Sequence, residues 1–210
     1  MLYEIAVAHG SDKTDEVVAK TLTSIKKAIT DTQGEILVED SWGRVRFAQA
    51  TSDGKDTARF DYIIYSCDGT ANEEINRLLR INENVVKSII VKLHKNTTSE
   101  DAVKNYRCPF STTKKGSIVD DFEEKGSDLH KDRRKFSKRK SCWFTAKNIT
   151  ADWKDPNTYG WLVNEFGKIS AKRVSGISRK HQRWATTAIK QARTMGLISH
   201  TSGRTAQAAH

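Results

Sequence analysis

The sequence of 210 residues carries a formal net charge of +10, with 37% apolar and 30% charged residues. A chain of this length can form one ordinary domain or two small ones, and it contains no run of about eighteen apolar residues that could cross a membrane. No signal-peptide pattern follows Met1 and the three cysteines are widely spaced, so we expect a cytoplasmic protein with reduced thiols.

The N-terminal part alternates strand-like and helical patterns. Residues 2–8 predict a strand, and a helix is predicted from about 15 to 32, with Ser11 or Thr14 as its N-cap. The apolar side chains of this helix fall on one stripe, which is typical of a helix that packs against a core.

Two β-rich runs and a second helix follow. Residues 36–50 and 57–67 predict a hairpin, and Thr70 with Glu73 forms a capping box that opens a short helix before a last strand at 85–93. The order β-α-β-β-α-β is the split βαβ arrangement. It predicts an α+β ferredoxin-like domain, with a four-stranded antiparallel sheet and both helices on one face.

The exposed face of such a sheet can bind RNA when aromatic side chains stack on bases. The basic-glycine-aromatic signature of RNA-recognition motifs is missing from the two middle strands. We therefore interpret Phe47, Phe60 and Tyr62 as cross-strand packing residues.

The predicted domain organisation is a ferredoxin-like domain at 1–94, a linker at 95–130, a basic helical domain at 131–203 and a tail at 204–210. Within the linker, the island Tyr106–Phe110 is less polar. Either docking on a neighbouring surface or a solvated kink fits its composition.

Charge is distributed very unevenly between these segments. Residues 1–94 hold 12 basic and 15 acidic side chains, residues 95–130 hold 6 and 7, and residues 131–210 hold 18 and 4. The last segment alone therefore carries a net charge of +14, which indicates a polyanionic partner because neutralising phosphates releases condensed counterions.

The basic segment predicts a small all-α domain. A helix is expected from Asp155, with Pro156 at its first position, to Gly167, and a loop leads from there to a last helix, Arg179–Met195, with Ser178 as N-cap. At 100° per residue, the cations of the last helix lie on one face. The opposite face is apolar and comprises Trp184, Ala185, Ala188, Ala192 and Met195.

We predict that the phosphate contacts come from the basic run that opens this segment, from the loop and from the last helix. The predicted RNA-binding residues are Arg133, Arg134, Lys135, Lys138, Arg139, Lys140, Lys172, Arg173, Arg179, Lys180, Arg183, Lys190 and Arg193.

No catalytic motif is recognisable, and no cofactor or small-molecule substrate is expected. Cys108 and Cys142 lack paired C-x-x-C spacing, so a metal site would need the distant His94, His130 or His181. We predict a non-enzymatic protein without a metal.

Two stretches of the N-terminal part resemble a known family. Residues 42–48, WGRVRFA, and 78–85, LLRINENV, are similar to motifs of bacterial small-ribosomal-subunit protein six. Together with the order of elements, the resemblance covers nearly all of residues 1–93.

The basic part resembles bacterial small-ribosomal-subunit protein eighteen. The similar stretches are CWFT at 142–145, DWKD at 152–155, GKI at 167–169 and the last helix from Gln182 to Arg193. Ala171 and Lys172 stand where that family usually has Pro and Arg, and Gln191 replaces a cation. A bidentate Arg contact to phosphate at position 172 would be lost.

This double resemblance implies a natural fusion of two ribosomal proteins that bind each other. It implies that the chain is bound to the ribosome and contacts 16S ribosomal RNA in the platform of the small subunit, beside other platform proteins. Two alternatives stay open from the residues alone. A free-standing regulator could bind RNA or DNA with the basic C-terminal helix, although only Gln182 is a suitable base reader there, and a scaffold without nucleic acid would leave the cationic stripe unexplained.

Overall fold

The computed structural model describes residues 1–93, 97–110 and 142–201. The chain divides into two compact units. The first comprises residues 1–110 together with 193–198, and the second comprises the remaining residues from 111 onward.

The first unit contains an antiparallel sheet of four strands in the order β2-β3-β1-β4, which confirms the predicted ferredoxin-like fold. Its elements are β1 (Leu2–Gly10), α1 (Asp15–Asp31), β2 (Glu35–Arg46), β3 (Thr57–Ser66), α2 (Thr70–Ile81) and β4 (Val85–Lys92).

The core of this unit lies between the sheet and the two helices. Alternate residues of the central strands, Ile5 and Val7 in β1 and Ile63 and Tyr65 in β3, belong to one buried cluster with side chains of α1 and α2. The period of two along the strands therefore places one apolar face against the helices.

The helix caps follow the sequence prediction only in part. Thr14 is the N-cap of α1, although its side chain makes no capping hydrogen bond. The predicted capping box of α2 is wrong, because the N-cap is Gly69 in a left-handed conformation (φ 102°) and Thr70 is already helical. Glycine adopts this left-handed conformation without steric penalty. The N-terminus of α2 therefore has no side-chain cap.

The opposite face of the sheet carries an aromatic cluster. Trp42 stacks on Tyr62, with ring centroids 5.1 Å apart, and on Phe60 at 6.1 Å. The Phe47 ring meets Phe60 edge-on at 5.8 Å. Phe47, Phe60 and Tyr62 are buried to 4%, 0% and 1% exposure, which confirms that they pack within the protein.

A short segment covers part of this aromatic face, and we call residues 97–110 the strap. It contains the helix α3 (Ser99–Asn105), so part of the predicted linker 95–130 is helical. Tyr106 stacks on Tyr62 with centroids 5.0 Å apart and 9° between the ring planes. The ring centroids of Phe110 and Trp42 are 5.5 Å apart. Of the two interpretations of Tyr106–Phe110, the docked one is correct.

The end of the last helix also belongs to the first unit. The Ala48 N–H donates to the carbonyl of Gly196 at 2.8 Å. Gly196 has φ +76°, and a Cβ atom there would lie 2.7 Å from the ring of Phe47. Only glycine therefore fits at this position without displacing the aromatic ring.

The second unit is helical. Its elements are α4 (Trp143–Lys147), two 3-10 turns (Pro156–Thr158 and Gly160–Leu162), α5 (Lys172–Ser175) and most of α6 (Arg179–Met195). The α6 boundaries match the prediction. The buried side chains of this unit outside α6 include Phe144, Trp153, Tyr159, Leu162 and Ile177.

The helix predicted from Asp155 to Gly167 is wrong. Asp155 does act as an N-cap, since its side chain accepts a hydrogen bond from the Asn157 N–H at 3.1 Å. The helix cannot continue, because Tyr159 has φ −138° and a β-bridge pairs Val163 with Ile169. The buried Tyr159 hydroxyl donates to the carbonyl of Trp153 at 2.7 Å, and this tertiary contact favours the irregular turn.

Candidate nucleic-acid interface

Helix α6 separates apolar from basic side chains as its periodicity predicts. The apolar face is fully buried and consists of Ala185, Ala188, Ile189, Ala192 and Met195. The basic face is exposed at Arg179, Lys180, Arg183 and Lys190. Burial of one face holds the helix in place and directs the cations toward solvent.

The start of α6 is held by hydrogen bonds. The Ser178 hydroxyl accepts from the His181 N–H at 3.3 Å, as expected of an N-cap. The Ser178 N–H donates to the Cys142 sulfur at 3.2 Å, and His181 Nδ1 lies 3.2 Å from the same sulfur. Burial raises the pKa of Cys142, but hydrogen bonds from Ser178, Thr145 and His181 outweigh it and lower the pKa to about 6.

Two predicted cations lie on α5, a single helical turn just before α6. Lys172 and Arg173 are both exposed there. The Gln182 side-chain amide donates to the carbonyl of Ser170 at 3.0 Å, which connects α6 to the residues that lead into α5. Because Gln182 makes this internal hydrogen bond, the one base reader of the regulator hypothesis is already occupied.

Three predicted cations come together in a cleft. Arg179, Lys180 and Arg183 line a space of about 530 Å³ with Trp184, and we call these four residues the α6 cleft. Within the part of the chain that the structure describes, none of the three cations pairs with a carboxylate. A group of exposed cations of this kind attracts anions such as phosphate.

The acidic residues of the described second unit are few. Asp152 pairs with Lys154 at 3.1 Å, Asp155 caps the 3-10 turn and Glu165 is exposed. Among residues 142–201, few acids are thus available to neutralise the α6 cleft.

The remaining predicted cations are distributed differently. Lys190 is exposed on α6, whereas Arg193 is half-buried and belongs to the first unit. The predicted contacts Arg133, Arg134, Lys135, Lys138, Arg139 and Lys140 lie outside the described residues.

Sequence reasoning placed Trp184 on the apolar face, but the structure shows it half-buried at the edge of the cleft. The sequence did contain a signal for this position. Trp184 follows Lys180 by four residues, and residues at i and i+4 are neighbours on a helix surface. The Lys180 ammonium lies 4.6 Å from the centroid of the Trp184 ring, a cation–π distance.

Residues 1–93, 97–110 and 142–201 include no helix that is long and apolar enough to span a membrane. The same ranges contain no group of three or more His, Cys, Asp or Glu side chains placed to hold a metal ion.

Comparison with known proteins gives two family matches. The model described as "Ribosomal protein S6" matches residues 2–92, and the model described as "Ribosomal protein S18" matches residues 147–198. A solved structure, 30S ribosomal protein S6 from Thermotoga maritima, is 19% identical, with a TM-score of 0.40, and the match covers 43% of this chain and 84% of that one.

Curated relatives match the second part of the chain. Small ribosomal subunit protein bS18 of Geotalea daltonii is 45% identical over 76 residues, which cover 36% of this chain and 84% of the relative. The bS18 of Citrifermentans bemidjiense is 49% identical over 67 residues, covering 31% and 73%. The chain therefore belongs to the bS18 family of small ribosomal subunit proteins and carries an S6-family domain ahead of its S18 segment in the same polypeptide.

Proposed function

We propose that this chain is a structural, non-enzymatic constituent of the small ribosomal subunit, in which its S18 segment binds 16S ribosomal RNA in the platform. The single observation that carries the proposal is the α6 cleft, where exposed cations face solvent and have no carboxylate partner among the residues that the structure describes. Like charges at i and i+4 repel one another. A phosphate backbone beside the helix would remove this repulsion by neutralising the cations.

The proposal extends to the other predicted contacts. Lys172 and Arg173 on α5 and Lys190 on α6 would touch phosphate as well, since all three are exposed. The same role is proposed for the basic run at 131–140, on the strength of its seven cations. The S6 domain at 1–94 with the strap would serve as the acidic partner of the +14 segment, in a ribosome-bound and cytoplasmic protein beside other platform proteins.

The free-standing regulator is not favoured. Its base-reading residue would be Gln182, whose amide already donates to Ser170. The family matches on both parts of the chain also correspond to ribosomal proteins.

Exchanging cations of the cleft for acids tests the proposal. In the double variant Arg179→Glu, Arg183→Glu, we expect less of the chain to sediment with small subunits on a sucrose gradient. With isolated central-domain RNA, the slope of log K against log salt should fall by roughly 0.7 to 0.9 per lost contact. Far-ultraviolet circular dichroism should show that α6 remains helical.

A matched control makes the same change in charge elsewhere. Lys20→Glu with Lys27→Glu alters two exposed cations of α1 in the first unit and should leave sedimentation unchanged. An equal loss of sedimentation with small subunits in both double variants would show that only net charge matters. Unchanged sedimentation of the Arg179→Glu, Arg183→Glu variant would refute the proposed contact.

A further inference from the structure

The α6 cleft contains a feature that phosphate binding does not need. Three cations are sufficient to attract a polyanion, yet the fourth lining residue is Trp184, whose indole remains partly exposed. A large aromatic ring beside unpaired cations resembles the composition of sites for single-stranded nucleic acids, which combine a basic groove with a stacking platform.

The indole is held in place by a column of rings. The His181 ring meets Trp184 at a centroid distance of 5.5 Å and an angle of 67°. On its other side, His181 stacks on Phe144 at 5.5 Å and 30°, and Phe144 is buried to 1% exposure. Because Phe144 belongs to the core, these ring contacts restrict the Trp184 side chain, which reduces the entropy lost on binding.

The neighbouring cation lies against the same ring. The Lys180 ammonium is over the Trp184 ring, 4.6 Å from its centroid, so it occupies one face of the indole, and a base stacks on the opposite face or displaces this flexible side chain. Arg179 and Arg183 are one helical turn apart, and both line the cleft with the indole. Their guanidinium groups can bind phosphate oxygens in a bidentate manner.

We propose that the α6 cleft binds an unpaired nucleotide of RNA, with its base stacked on Trp184 and its flanking phosphates on Arg179 and Arg183. This inference rests on the proposed function and adds to it the class of RNA that the cleft recognises. A base within a duplex cannot reach the indole, because its faces are covered by its neighbours. The cleft therefore distinguishes a bulged or single-stranded nucleotide from a paired one, whereas a purely cationic surface would not.

The test uses the full chain and two RNA probes. One is a single-stranded RNA of about 12 nucleotides, and the other is the same strand paired with its complement. The Trp184→Leu variant should bind the single strand about tenfold more weakly and the duplex with little change. The Trp184→Phe variant retains a stacking ring and should keep most of the affinity for the single strand.

The exposed aromatic residue Phe166, which does not line the cleft, provides a matched control. It is 69% exposed, and Phe166→Leu should leave both affinities unchanged. A photoreactive 5-iodouridine in the single strand should also cross-link to the peptide that contains Trp184.

The outcomes separate this inference from the proposed function. Unchanged single-strand affinity in Trp184→Leu, or equal losses for both probes in Trp184→Leu and Trp184→Phe, would overturn the stacking proposal. The cationic role is tested independently by Arg179→Glu with Arg183→Glu, which should weaken binding of both probes. If only that double variant has an effect, the α6 cleft binds phosphates and the proposed function stands without base stacking.

Discussion

At the residue scale, the first unit contains a buried carboxylate beside a histidine and an arginine. Asp61 in β3 is 4% exposed, and its Oδ2 lies 3.3 Å from His9 Nδ1 and 3.9 Å from Arg59 Nε. The His9 contact has the distance of an ion pair but lacks the alignment of a hydrogen bond. Burial raises the pKa of Asp61, yet the interactions with His9, Ser41 and Arg59 outweigh it and hold the pKa below the ordinary range.

Replacing this carboxylate should destabilise the protein in a pH-dependent way. Because the pKa of Asp61 is lower in the folded state, its contribution is present above the unfolded value of about 3.9 and is lost as the pH falls through the folded value. Asp61→Asn should therefore lower the free energy of unfolding at neutral pH by about 1 to 3 kcal/mol. Urea titrations should show the difference from wild type narrowing below about pH 4.

The exposed Asp53 supplies the control for that measurement. Asp53→Asn in the hairpin turn should change the free energy of unfolding by less than about 0.5 kcal/mol. A constant difference between Asp61→Asn and wild type across the acidic range would contradict the lowered pKa of Asp61.

Cys142 is the second residue whose surroundings change its chemistry. With a pKa of about 6, much of the thiol is ionised at neutral pH, and the thiolate is the nucleophilic form. Iodoacetamide should modify Cys142 with a rate that is half-maximal near pH 6, as measured by mass spectrometry of its peptide. Thr145→Val removes one hydrogen-bond donor and should shift the midpoint upward. A profile that rises only near the ordinary thiol value of about 8.5 would contradict this assignment.

At the element scale, one side chain of the strap makes several contacts with the sheet. The Tyr106 hydroxyl donates to Asp40 Oδ2 at 2.5 Å and accepts from Trp42 Nε1 at 2.8 Å. Burial raises the pKa of Tyr106, and the hydrogen bond to Asp40 raises it further. The hydroxyl therefore remains a donor throughout the physiological range, and the ring covers Tyr62.

Truncation of Tyr106 should release the strap. Tyr106→Phe keeps the stacked ring but removes both hydrogen bonds of the hydroxyl, so we expect a loss of about 1 kcal/mol in the free energy of unfolding. Tyr106→Ala should cost about 2 kcal/mol or more, and amide hydrogen exchange should accelerate across α3. Val103→Ala on the same helix changes a side chain that is 45% exposed and serves as control. Unaltered exchange in Tyr106→Ala would show that the strap is held by other contacts.

The periodicity of apolar residues predicted the helices and strands of this chain well wherever one face of the helix or strand is buried. The α6 helix has its predicted bounds, Arg179–Met195, because its apolar stripe is complete. The segment 155–167 also begins with a good helix signal, but the buried hydroxyl of Tyr159 and the bridge from Val163 to Ile169 replace the helix. These contacts join residues through tertiary structure, which the pattern of a single segment does not reveal.

For the candidate site, the sequence indicated the residue types but not their grouping in space. The composition of residues 131–210 indicated the cations, yet their grouping into the α6 cleft required the helix surface. The docking of Tyr106 depends on Asp40 and Trp42, more than sixty residues earlier in the chain. The sequence of the Tyr106–Phe110 segment by itself does not indicate these distant partners.

At the scale of the whole molecule, recognition between the two family segments can be tested separately from their covalent connection. The first unit contains residues 193–198 from the end of the chain, and Gly196 accepts a hydrogen bond from the Ala48 N–H beside the Phe47 ring. A cut between Lys114 and Lys115 leaves these contacts intact, and it also preserves the charge difference between an N-terminal part of −3 and a C-terminal part of +14.

We therefore expect a chain cleaved at an inserted protease site between Lys114 and Lys115 to stay assembled. Fragments 1–114 and 115–210 should co-elute in size exclusion at micromolar concentration and remain together on the small subunit, because the connection mainly raises an effective concentration. Gly196→Val places a side chain against Phe47 and should separate the fragments after cleavage, while the uncut variant stays in one piece by its covalent bond. Dissociation of the cleaved wild-type fragments, with the RNA intact, would show that residues around the cut hold the structure together and that the two-partner interpretation is wrong.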